Sequence, residues 1–139
     1  MADNPFSGSW TYRSLLNDPD IAISFDKLQF GVGTLVIDNA QREELLTGAI
    51  GGPGWSLALR GSRSYGSPSQ IRFQGKGLVG GEEWIYDYIG WLVPVWPAST
   101  DTLDRSAIVG SVTRTIPHSS GAGGVAPAGV VASFYAVRS

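Results

Sequence analysis

A chain of 139 residues with a formal net charge of −2, 42% hydrophobic and 16% charged residues, and no cysteine is the size of one domain built on one core. These values exclude intrinsic disorder, disulfide bonds, thiolate metal ligands and a cysteine nucleophile; the ten basic residues form no Lys/Arg cluster, so no nucleic-acid partner is expected. No window approaches the eighteen or so apolar residues of a membrane span, and the N-terminus lacks the basic and apolar regions of a signal peptide. The expectation is therefore a single soluble, cytoplasmic domain over residues 1–139 with no membrane partner.

Extended segments recur at intervals of about a dozen residues, and helical periodicity is nearly missing. In residues 9–14, Trp10 and Tyr12 alternate with Thr11 and Arg13. Residues 18–25 open with Asp18-Pro19-Asp20 and hold the best helical candidate, one or two turns covering the end of a sheet. Segment 28–37 places Leu28, Phe30, Val32 and Val36 on one face, with Gly31 and Gly33 permitting a bend on the other. Segment 45–51 follows, and then 55–65, where Trp55, Leu57 and Leu59 share a face predicted to look inward. Segments 70–77, 83–93, 106–116 and 129–138 complete a set of eight.

The connectors carry turn chemistry. Asp38-Asn39-Ala40, Gly51-Gly52-Pro53-Gly54, Gly66-Ser67-Pro68-Ser69 and Gly80-Gly81 supply positive φ or a fixed φ at a corner, and short turns make sequential strands pair antiparallel. Two connectors are longer: 94–105, and 117–128 with its SSGAGGVAPAG run, both expected as loops at one end of the fold that could act as lids. Eight such strands predict an all-β fold, a single up-and-down antiparallel barrel, in preference to a Greek-key sandwich, which needs long crossings early in the chain. A barrel of eight strands has room for packed side chains or one small ligand.

Gly8-Ser9-Trp10 at the start of the first segment and Phe134-Tyr135-Ala136-Val137-Arg138 at the end of the last resemble the calycin superfamily of lipocalins and avidin-like proteins. The resemblance implies that Trp10 plugs the closed end of the barrel and that Arg138 packs across it, an arrangement in which a guanidinium on indole gains cation–π attraction. The avidin residues that hold biotin are not reproduced, so biotin is not carried over. A barrel of the allene oxide cyclase type is the alternative.

The richest stretch is Gly80 to Trp96. Period-two alternation places Trp84, Tyr86, Tyr88, Gly90 and Leu92 on one face and Glu83, Ile85, Asp87, Ile89, Trp91 and Val93 on the other. Both faces are largely apolar, so both should be covered, and a homo-oligomer is expected. If the even face looks inward, Trp84, Tyr86 and Tyr88 line a cavity suited to an aromatic or polycyclic ligand. If the odd face does, Asp87 is desolvated and becomes a candidate general base or acid; the plain alternative is that Asp87 pairs with Arg72 or Arg114 or faces solvent.

Arg72 alternates with Ile71 and Phe73 and reads as outward, whereas Arg114 shares parity with Ile108 and Val112 and reads as inward. His118, the lone histidine, follows Pro117 into a Gly-rich run and reads as exposed; with no nucleophile elbow, no ligand spacing and no following helix for the Gly31-Val32-Gly33 pattern, neither triad, metal nor cofactor is expected.

Three functions remain. The first is binding of a small apolar or aromatic molecule among Tyr12, Trp55, Trp84, Tyr86, Tyr88 and Arg114. The second is a cofactor-free isomerase or cyclase in which a shaped cavity is helped by Asp87, Tyr86 and Arg114. The third is a structural protein with a filled barrel, against which the Gly and Ala residues on the strands (Gly31, Gly33, Gly48, Gly75, Gly90, Gly110, Ala132, Ala136) are read as leaving room inside.

Overall fold

The computed structural model describes residues 4–39, 45–93, 105–120 and 123–139. Residues 94–104, which carry most of the first expected lid, lie outside that set, as do Ala40 and residues 121–122 of the glycine run. Strands follow the alternation closely: β1 (Gly8–Leu16), β2 (Gln29–Ile37), β3 (Leu45–Gly52), β4 (Trp55–Ser64), β5 (Gln70–Val79), β6 (Glu82–Val93) and β7 (Ala107–Arg114). A small hairpin of β8 (His118–Ser119) and β9 (Val125–Ala126) comes next, and β10 (Val131–Arg138) ends the chain.

Each long strand pairs antiparallel with its predecessor, β10 pairs with β7 and returns to β1, and the eight long strands close into an up-and-down barrel. Closure leaves no unpaired edge. Turn chemistry sets the corners: Gly80 and Gly81, at φ 59° and 83°, form a two-residue link between β5 and β6 whose positive φ values match strand twist, and Gly54 at φ 81° follows Pro53 between β3 and β4. The helical candidate at 18–25 does not form. A 3₁₀ turn at Phe25–Lys27 takes its place, and Ile21 and Phe25 are 96% and 81% exposed, so no apolar stripe holds a helix to the barrel. No helix among the described residues is long and apolar enough to cross a membrane.

One end of the barrel is sealed. Trp10 is fully buried, its indole N–H donates to Phe6 O at 2.9 Å, and the Arg138 guanidinium lies 4.3 Å from its ring centroid. Arg138 also donates to Ser7 O at 2.8 Å and Pro5 O at 2.7 Å, so the N-terminal turn is drawn across the end and buries Phe6. Above this plug, Leu35, Ile37, Leu46, Leu59, Ile71 and Ile108 pack the lumen solidly.

Inward parity in β2 departs from the expected face. Leu35 and Ile37 are buried while Val32 and Val36 are 44% and 41% exposed. The cause is a register shift between Ser14 and Leu15, which pair with Gly31 and Gln29, so Phe30 is the extra residue of a bulge and turns inward beside Gly31. Gly31 lines the open end of the lumen as expected, but three other strand glycines serve a different purpose. A Cβ at Gly33, Gly48 or Gly110 would lie 2.2, 2.0 or 1.9 Å from a backbone oxygen of a neighbouring strand, so these positions permit close strand approach rather than enlarging the lumen.

Candidate functional site

The end opposite the plug holds a cavity of about 210 Å³ lined by Tyr12, Ser14, Phe30, Gly31, Trp55, Leu57, Trp84, Tyr86 and Tyr88. Even-numbered residues of β6 supply one wall, so the face question is settled in favour of the aromatic face. β1 supplies Tyr12 and Ser14 and the β2 bulge supplies Phe30 and Gly31. The first residue of β4, Trp55, sits at the rim. Six rings border the space, and five of them meet edge to face: Tyr12 against Tyr88 at 6.2 Å and 75°, Phe30 against Tyr86 at 6.0 Å and 74°, Trp84 against Tyr86 at 6.2 Å and 61°.

The floor is dry. Tyr12 and Tyr88 are 3% and 4% exposed. Burial pushes the Tyr12 phenol up to about 12, partly offset by hydrogen bonds with Ser14 and Tyr88; burial likewise holds Tyr88 well above the usual phenol value, with the neighbouring phenols Tyr12 and Tyr86 adding to the effect. Both are neutral hydroxyls at any physiological pH. Phe73 stacks on Tyr88 at 4.7 Å and Phe134 flanks Tyr12 at 5.5 Å, so the floor rings are fixed by packing.

The roof is polar. Tyr86 OH lies 2.7 Å from His118 Nε2 and accepts from Arg114 Nε at 2.9 Å. His118 Nδ1 lies 2.9 Å from Ser119 O, which can only accept, so Nδ1 carries a proton; in the neutral ring Nε2 is then the acceptor and Tyr86 OH the donor. The imidazole also stacks on Trp84 at 4.0 Å and 14°. Arg114 Nη1 donates to Pro127 O at 3.2 Å, which ties the β7–β10 connection to the barrel from a second point. His118 is thus buried, not exposed as its Gly-rich surroundings suggested, because the short hairpin folds it back over Trp84. Trp84 Nε1 is closed off from water and has no hydrogen-bond partner among the described residues.

No protein-family model, curated protein or solved structure matches the chain.

Of the residues singled out in the sequence, Tyr12, Trp55, Trp84, Tyr86 and Tyr88 line the cavity together, and Arg114 borders it, its guanidinium 5.1 Å from the Phe30 ring centroid and 5.7 Å from that of Tyr86. Asp87 does not join them. It projects from the outer face of β6, exposed, and accepts from the Thr115 hydroxyl at 2.7 Å, so the desolvated acid expected for an odd-face lumen is absent. Arg72 is exposed on the outer face of β5. Phe30, Ser14, Leu57 and His118 are lining or roof residues that the sequence reading did not place in the site. Parity alone could have added Leu57, since it shares a face with Trp55; Phe30 depends on the bulge and His118 on a two-residue hairpin.

Proposed function

We propose that the protein binds a compact aromatic molecule of one or two rings inside the barrel. The observation that carries this reading is the cage itself: six aromatic side chains around a void of about 210 Å³, at the open end of a barrel sealed at the other. That volume exceeds the roughly 150 Å³ of a cavity known to hold benzene and falls short of the ~300–1,000 Å³ of sites for drug-sized ligands.

Titration with phenol and indole, followed by calorimetry, tests the reading. Gly31→Leu is the matched variant: a Cβ there meets Ser14 Oγ at 3.3 Å and Tyr12 Cε1 at 3.9 Å, so a longer side chain grows into the cavity. Saturable binding by the wild type that is lost in a folded Gly31→Leu protein is expected. No heat with either compound would remove the proposal.

A second reading, the cofactor-free isomerase or cyclase, is favoured by the Arg114–Tyr86–His118 chain, with Tyr86 as the proton-transferring group in place of Asp87. Exchange of the α-protons of indan-1-one in D₂O, faster with wild type than with Tyr86→Phe, is its readout; equal rates would dismiss it. The Arg138–Trp10 packing supports the calycin-like grouping. The partly exposed Ile85, Ile89 and Trp91 on the outside of β6 support self-association.

A further inference from the structure

Arg114 is the one roof group whose charge the cage does not explain. It is the last residue of β7, half-buried, with its guanidinium carbon 5.1 and 5.7 Å from the ring centroids of Phe30 and Tyr86 and with Nε and one Nη1 proton engaged by Tyr86 OH and Pro127 O. Neither acceptor is an anion. Three acids of β6 are engaged elsewhere: Glu82 Oε1 accepts from Ser119 N at 3.2 Å, Asp87 Oδ2 from the Thr115 hydroxyl at 2.7 Å, and Glu83 pairs with Lys76 at 3.6 Å. Among the described residues no carboxylate reaches the Arg114 guanidinium. A cation drawn partly out of water beside two aromatic rings, with N–H groups left over, is suited to a planar two-oxygen anion. Both of these rings also line the cavity, so an anion on the remaining N–H groups would stand close to a ring held there.

We infer that the ligand is a one- or two-ring aromatic carboxylate, its ring in the cage and its carboxylate on the free edge of Arg114. This inference rests on the aromatic-binding reading above and narrows it to a charge class. Trp84 and Arg114 then divide the work: the indole and its neighbours take the apolar ring, and the guanidinium selects the anion. A phosphate monoester shares the charge but not the planar fork, and is the competing anion to exclude.

Isothermal titration of the full chain with benzoate against benzamide, and 1-naphthoate against 1-naphthamide, compares anion with neutral isostere of nearly equal shape. The wild type should bind each carboxylate about 10-fold or more tighter than its amide, as a charge-assisted bond to a guanidinium implies. That preference should shrink as salt is raised from 50 to 500 mM, disappear in Arg114→Gln, and survive in part in Arg114→Lys. The wild-type comparison and its salt dependence need no variant, so a poorly folded Arg114→Gln protein leaves the test intact. Equal affinity for acid and amide in the wild type, or an undiminished preference in folded Arg114→Gln, overturns the inference while the amides' binding keeps the cage reading standing. Phenyl phosphate bound tighter than benzoate overturns the carboxylate assignment. Absence of binding by all five compounds overturns both readings together.

Discussion

Replacing Tyr86 by Phe removes one oxygen from the roof and leaves the ring that lines the cavity. That oxygen joins His118 Nε2 at 2.7 Å and Arg114 Nε at 2.9 Å. The two losses differ in size. His118 is 8% exposed, so its Nε2 loses its partner in a largely buried position, a cost of about 1–3 kcal/mol. Arg114 is only half-buried and recovers a water, so its share is small. A total near 2 kcal/mol follows, and with an unfolding entropy of about 2.1 cal/mol/K per residue it corresponds to a fall in Tm of about 7 °C. Thermal unfolding followed by circular dichroism measures it. His118→Phe, which retains a ring against Trp84, and the double variant complete a cycle: with both gone, neither the His118 Nε2 nor the Tyr86 hydroxyl is left facing a missing partner, so the double variant should be more stable than the sum of the single losses by about 1 kcal/mol. A Tyr86→Phe protein within 0.5 kcal/mol of wild type, or two effects that simply add, would show that the roof network does not hold the β7–β10 connection to the barrel.

Alkaline pH should unfold the protein from within. Tyr12 and Tyr88 have folded pKa values above the unfolded value of about 10, so the unfolded chain releases protons first and stability falls as pH rises past 10, continuing for Tyr12 to about 12. A shift of two units in Tyr12 alone corresponds to about 3 kcal/mol. Absorbance of tyrosinate near 295 nm should show these two phenols ionising together with loss of structure; their ionisation in a still-folded barrel at pH 10 would contradict the dry floor. On the outer face, Trp91→Asp should convert any self-associated species to monomer in sedimentation velocity while leaving ligand binding unchanged. A wild type that sediments as a monomer at 100 μM would remove self-association through that face.

The strand plan was legible because period-two alternation and Gly or Pro turns act locally. The eight expected segments match the eight barrel strands to within a few residues at each end. Closure followed from short sequential turns, and the inward parity of Trp55, Leu57 and Leu59 and of Arg114 was also readable. Other features depend on contacts distant in sequence. Both faces of β6 are apolar, so alternation could not choose between Tyr86 and Asp87; the choice is made by pairing, which sets Tyr86 against Gly75 and Arg114 and turns Asp87 to Thr113 on the outside. Phe30 required a bulge that no residue pattern announces. The backbone approach that gives Gly48 its role is set by Val36 on another strand. His118 sits among glycines and serines, a composition that signals a loop, yet stacking on Trp84 and one phenol hydrogen bond are enough to bury it.

The central claim is an accessible hollow bounded by aromatic rings. Crystals soaked in 4-iodophenol and measured for anomalous scattering test it most directly, since iodine reports its own position. One strong iodine site is expected within the barrel, among Tyr12, Trp55 and Trp84, with the phenol ring inside the cage. Iodine confined to the protein surface, with the side chains of Trp84 and Trp55 closed over an empty or collapsed lumen, would contradict it.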